Sequence, residues 1–218
     1  KASAPAVCLL QEWWGVTLEI KAIGEKLHGV GYRVLIPDLY NGKLGLNAEE
    51  ASHQMDSLDW PKALKEICEA TAYLSESGSP AVGVTGTCMG GALTLAAAQH
   101  APHVKCAAPF YGVPDPGLCD TRLIAVPVQG HFGELDSMAG FSDPAAAKAL
   151  EEALAGGACP EGEVFIYSGV GHGFLNQAPD KPRITADVTA ETGFPKADTQ
   201  QQEKAWTRLL AFFDKHLR

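Results

Sequence analysis

No part of the chain reaches the ~18 uncharged apolar residues that a membrane-spanning helix needs, so no span is expected. No C-x-x-C pair occurs, and the cysteine spacings fit no zinc site. The G-x-G-x-x-G pattern is absent, and no Walker lysine follows a glycine-rich turn, which excludes the common nucleotide-binding loops. Basic residues are few, 17 against 26 acidic, for a formal net charge of -9. An acidic surface repels phosphate backbones, so nucleic acid is not expected as a partner. Lys1–Pro5 carries neither an initiator Met nor a signal-peptide apolar region, and reads as the start of a processed or trimmed form.

What is present is the material of a globular protein. The 218 residues are 46% hydrophobic, enough to build a core without covalent staples. Six cysteines (Cys8, Cys68, Cys88, Cys106, Cys119, Cys159) therefore read as mostly free thiols in a reducing compartment. That compartment is the cytoplasm, or an organelle with a reducing interior if a targeting segment has been removed. There is no internal repeat, and the expectation is one domain over residues 1–218, as a monomer or small homo-oligomer.

Short β-rich runs alternate with helix-period segments. The predicted strands are Ala6–Gln11, Tyr32–Pro37, Ala81–Gly86, Val104–Phe110, Ile124–Gln129 and Glu163–Tyr167. Their continuous apolarity points to burial on both faces, as in a parallel sheet. Helices are expected near Leu18–Val30, Ala48–Met55, Pro61–Ser77, Gly90–His100, Pro144–Gly156 and Glu203–His216. In the last, Trp206, Leu209, Leu210 and Phe213 form one stripe. The pattern predicts an α/β fold with a mostly parallel open sheet and helices on both faces. Gln177–Gln202, polar and holding Pro179, Pro182 and Pro195, fits neither period and reads as a lid or surface excursion.

The chemistry concentrates at Gly86-Thr-Cys88-Met89-Gly90-Gly91. A buried strand runs into a G-x-C-x-G-G turn and then a small-residue helix, which is a nucleophile elbow with Cys88 in the nucleophile position. Such a turn leaves no room for side chains at Gly86 and Gly90. The helix beginning after Cys88 turns its positive end on the sulfur, and the Met89 amide faces the site of a developing oxyanion. His172, in Gly169-Val-Gly-His172-Gly-Phe174 after the last strand, is the expected base; His103 and His216 read as surface residues. Asp136, deeper in the loop after Ile124–Gln129, is the expected orienting acid, with Glu134 and His131 as alternatives.

Four motifs in order make the chain resemble the dienelactone hydrolase (carboxymethylenebutenolidase) family of α/β-hydrolases: Gln11-Glu12-Trp13-Trp14-Gly15, Pro37-Asp38-Leu39-Tyr40, the Cys88 elbow and Gly171-His172-Gly173-Phe174. The resemblance implies Cys88 as nucleophile, His172 as base and Asp136 as its orienter. It implies that Glu12 controls ionisation of the thiol, and that the amides of Trp13 and Met89 form the oxyanion hole. It implies neither metal nor organic cofactor, and a small-molecule ester or lactone as substrate. The chain departs from the family in one respect. The two arginines that hold the substrate carboxylate in the archetype are missing, one after the catalytic His and one between Asp38 and Trp60, leaving Lys43, Lys62 and Lys65 as nearby cations. The expectation is hydrolysis of a dienelactone-like ester through a cysteine acyl-enzyme. The alternatives are a broader carboxylesterase or thioesterase, with Trp13, Trp14, Trp60 and Asn176 lining its pocket, and a non-catalytic relative using Cys88 for redox or ligand sensing.

Overall fold

In the computed structural model, residues 3–175 and 198–218 are described. Six parallel strands form one sheet in the order β2-β1-β3-β4-β5-β6: β1 (Ala6–Leu10), β2 (Arg33–Leu35), β3 (Val82–Thr87), β4 (Val104–Phe110), β5 (Val128–Gly133) and β6 (Gly162–Tyr167). The most apolar strands lie at the centre, with every residue of β1 and β3 buried, while β2 and β6 are the more exposed edges. Side chains alternate through β1. Ala6, Cys8 and Leu10 join one core cluster, and Val7 and Leu9 join the other.

Helices cover both faces. α1 (Leu18–Gly29) and the terminal α6 (Thr199–Leu217) pack on the Val7 and Leu9 side through Leu27, Leu209 and Phe213. α3 (Trp60–Glu76), α4 (Met89–His100) and α5 (Pro144–Ala155) pack on the other through Ile67, Leu93 and Leu150. The short α2 (Ala48–Asp56) touches the body through Ala51, which meets Trp14. The order in which strands are added reverses at β1, which puts the carboxyl ends of β1 and β3 at the switch point where open α/β sheets hold their sites.

Most element ends move by one or two residues from the sequence reading, and β5 and the terminal helix move further. β5 starts at Val128, not Ile124, and continues to Gly133. Asp120 caps a 3-10 turn over Thr121–Leu123, and the carbonyl of Pro127 accepts from Ala107 N at 3.0 Å just before the strand begins. The polar look of Gln129-Gly-His131 hid the rest of the strand. His131 is fully buried, stacked on Phe110 at 4.2 Å with its Nδ1 2.8 Å from the Tyr167 hydroxyl. A buried ring satisfied from the side reads in sequence as a loop residue. The terminal helix starts at Thr199, capped by Asp198, so residues 199–202 are helical. Residues 177–197, most of the expected lid, lie outside the described residues, as does Asn176.

Candidate active site

The elbow is built as its glycines require. Cys88 stands between β3 and α4 with φ 55° and ψ -117°, in the positive-φ region that non-glycine residues seldom occupy. A methyl group on Gly90 would stand 2.5 Å from the Leu10 carbonyl oxygen, and one on Gly86 would stand 2.6 Å from that of Gly90. The end of β1 is thus pressed against the first turn of α4. Met89 is the first residue of that helix, so its amide has no acceptor within the helix.

Beside this turn, Gln11 to Gly15 leave β1. The turn is closed by Gly15 N donating to Glu12 O at 3.1 Å, with Glu12 and Trp13 half-buried. Trp14 points elsewhere. It is buried against Ala51 and meets the Trp13 ring at 4.9 Å. Trp60 opens α3 and packs against the core. Gln11, fully buried, accepts from Leu39 N at 3.0 Å and so ties β1 to the Pro37–Tyr40 turn.

His172 is carried by the loop after β6 and is buried. Its Nδ1–H donates to Asp136 Oδ2 at 2.8 Å, and the Cys88 sulfur is close enough to act on the ring electrostatically. Asp136 is itself buried, and its second oxygen, Oδ1, accepts from Met138 N at 3.1 Å. A carboxylate can only accept, so Nδ1 carries the hydrogen and Nε2 faces the thiol. Burial by itself would lower the His172 pKa. The Cys88 sulfur and the Asp136 carboxylate outweigh it together and push the value up to about 10. Cys88, His172 and Asp136 are therefore brought together as expected from sequence. Glu134 and His131 are not part of that line. Glu134 accepts from Ser168 and Gly169, and His131 bonds to Tyr167 inside the core.

Three neighbours were given no role in the sequence reading. Tyr111, at φ 36° after β4, sets its ring 5.1 Å from that of His172. Ser142 Oγ lies 3.0 Å from His172 Nδ1. Tyr40 donates its hydroxyl to Met89 Sδ at 3.3 Å, and burial, with Cys88 close by, raises its pKa. Only Tyr40 carried a signal, as the last residue of Pro37-Asp-Leu-Tyr40. Asp38 folds that turn by accepting from Tyr40 N and Gly42 N. A cavity of about 440 Å³ opens beside Tyr40, reaching Lys43, Gln54, Asp59, Lys62 and Glu66.

The other thiols are set apart from Cys88. All six cysteines are free. Burial pushes Cys8 and Cys119 up to about 12 and also raises Cys68, Cys106 and Cys159. Among the described residues, no group of three or more His, Cys, Asp or Glu is placed to hold a metal ion, and no helix is long and apolar enough to cross a membrane.

The dienelactone hydrolase family profile matches residues 1–217. The chain belongs to that family. Family membership makes it a hydrolase acting on esters or lactones, which are small-molecule substrates. Among its relatives, Protein usf of Aquifex pyrophilus is 29% identical, with 100% of this chain and 90% of that protein covered. A protein of Aquifex aeolicus with the provisional name carboxymethylenebutenolidase is 27% identical, covering 100% and 91%. Solved structures share the fold. A provisionally named dienelactone hydrolase of Klebsiella pneumoniae has a TM-score of 0.76 at 22% identity, covering 98% of this chain and 88% of that one. A dienelactone hydrolase-like promiscuous phosphotriesterase from metagenomic libraries has a TM-score of 0.81 at 18% identity, covering 100% and 89%.

Proposed function

We propose that the chain hydrolyses a carboxylic ester or lactone through an acyl-enzyme on Cys88, with His172 as base and Asp136 as its orienter. The observation that carries this reading is the 2.8 Å bond from His172 to Asp136 with the Cys88 sulfur acting on the same ring, at a positive-φ elbow. His172 holds the thiol proton at Nε2 as an imidazolium, and the thiolate paired with it attacks the substrate carbonyl. The amides of Met89 and Trp13 receive the oxyanion. The ester oxygen then leaves as an alcohol or enol, taking its proton from His172. Next, His172 draws a proton from water, which attacks the thioester and releases the acid and the free thiol. Asp136 keeps the Nδ1 hydrogen in place and stabilises the imidazolium in both halves. Glu12 tunes the thiol from the β1 side.

A thiolate suits activated esters and enol lactones, which have good leaving groups, and a dienelactone is the lead substrate. A second reading, a carboxylesterase or thioesterase of wider scope, is favoured by the state of two candidate carboxylate-binding cations. Lys62 pairs with Glu66 at 3.7 Å and Lys65 with Glu69 at 3.8 Å on an exposed helix face, so neither is poised for a substrate carboxylate. Turnover of an aryl ester and of a dienelactone by the wild type and by Cys88→Ala tests both. Loss of both activities in the variant is expected, and ester turnover unchanged in Cys88→Ala would refute the mechanism. A rate advantage for the dienelactone selects the first substrate class, and equal turnover selects the second.

A further inference from the structure

We propose that Ser142 is a positioning residue for His172, a second oxygen that shares the Nδ1 hydrogen with Asp136. This inference rests on the reading of His172 as the base. Asp136 Oδ2 stands 2.8 Å from Nδ1 and Ser142 Oγ 3.0 Å from the same atom. One hydrogen thus faces two acceptors.

Both oxygens come from one loop, and that loop is closed on itself. At its start, Asp136 Oδ1 accepts from Met138 N at 3.1 Å. At its end, Phe141 N and Ser142 N donate to Met138 O at 3.1 and 3.0 Å. Val113 N, just past β4, donates to Phe141 O at 2.9 Å and fixes the loop to the sheet. Asp143 then caps α5 by accepting from Ala146 N at 3.2 Å, with Pro144 in the first turn. The backbone on either side of Ser142 is therefore held at several points. Its side chain has no solvent exposure and no room to turn to water. The Phe141 ring, 6.2 Å from the His172 ring, closes the same side.

The chemical consequence concerns the imidazolium. When His172 holds a proton on each nitrogen, the Nδ1 hydrogen is divided between a carboxylate and a hydroxyl oxygen, and both favour the charged ring. The second acceptor also resists rotation of the ring about its bond to the chain. Without it, Asp136 alone defines the ring plane. The titratable groups facing His172 are Cys88 from the elbow, Asp136 from the loop after β5 and Tyr111 from the end of β4. None of these changes when Ser142 is replaced, so a shift in His172 titration reports on the serine oxygen.

The test compares Ser142→Ala with Ser142→Cys, which keeps the volume but offers a poor acceptor. Each is assayed on an aryl ester, and His172 is titrated by imidazole 15N resonances. The expected result is a kcat about tenfold lower with KM unchanged, and a His172 pKa lowered by about half to one unit, in both variants. Full recovery of kcat in Ser142→Cys would show that only volume matters and would overturn the proposal, as would an unmoved titration in Ser142→Ala. A second comparison uses Asp136→Ala. Its residual rate is expected to fall further when Ser142→Ala is added, because the remaining acceptor is then lost; equal rates in single and double variants would overturn the proposal. The titration needs no turnover. If Cys88→Ala kept full activity, the acyl-enzyme reading would fail while the effect of Ser142 on His172 was still measured.

Discussion

Glu134 holds Gly169 by its backbone: the carboxylate Oε2 accepts the Gly169 amide at 2.9 Å, along with the Ser168 hydroxyl at 2.7 Å. Those bonds lower the Glu134 pKa and pin the loop that carries His172 to the end of β5. Leu135 N and Val170 O, 2.9 Å apart, complete the tie. Two acidic residues two positions apart thus do different work. Glu134 secures the loop, and Asp136 meets the ring.

Separate alanine substitutions follow from this division. Asp136→Ala should lower kcat by roughly three to four orders of magnitude on an aryl ester, since the base loses its tautomer and its charge partner. Glu134→Ala should cost less than about tenfold, because the ring keeps its acceptors and only its loop loosens. Steady-state kinetics on the two variants decide it, and equal losses would count against the assignment.

The His172–Cys88 coupling has a stated sign. His172 is raised from 6.5 to about 10, with Cys88 the larger of the two groups that raise it. Its linked contribution to stability is therefore fully present below pH 6.5 and is lost as pH climbs toward 10. Replacing Cys88 by Ser removes the sulfur that raises it, so the His172 pKa should fall and that window should narrow. Chemical denaturation at pH 6, 8 and 10 on the wild type and Cys88→Ser measures both ends.

His131 has the opposite sign. Burial, assisted by the charge of Arg208, lowers its pKa from 6.5 to about 3, so it stays neutral in the folded chain. The unfolded chain takes up a proton near pH 6.5, so stability is lost as pH falls from 6.5 toward 3, by a few kcal/mol in order of magnitude. His131→Phe keeps a ring against Phe110 and removes the titration. Its acid-unfolding midpoint should move to lower pH, while loss of the Tyr167 bond lowers stability at neutral pH by about 1 kcal/mol. A midpoint that moves to higher pH contradicts the assignment.

Gly90→Ala tests the contact between β1 and α4. The added methyl meets rigid backbone at Leu10 and Gln11, 2.5 and 2.6 Å away, so the strand end or the helix must shift. A loss of about 2–4 kcal/mol is expected in denaturant unfolding, with activity lowered in whatever folds. Gly42→Ala is the useful contrast: nothing stands within 4 Å there, and the cost comes from the positive φ of 85° alone.

Much of this was legible because apolar continuity and glycine spacing are local signals. The central strands followed from the first, the elbow and the His172 loop from the second, and the six main helices from their own period. The sequence reading failed at His131, where a polar residue is buried by stacking on one neighbour and bonding to another, both distant in the chain. It also passed over Ser142, whose neighbours Asp143 and Pro144 announce only a helix start. That Ser142 meets His172 depends on how a seven-residue loop closes, and no spacing rule describes that. Trp14 shows the reverse error. A tryptophan beside Glu12 suggested a pocket wall, yet its ring seals α2 against the body.

The five remaining thiols give the chain a practical property. Each is held in its protonated form by burial, so a thiol-seeking electrophile applied near neutral pH meets little competition from them. If Cys88 is the nucleophile, one equivalent of reagent per chain extinguishes turnover, and the mass increment counts working molecules in a preparation. Three buried and two half-buried sulfurs thereby serve as a quiet background for the sixth.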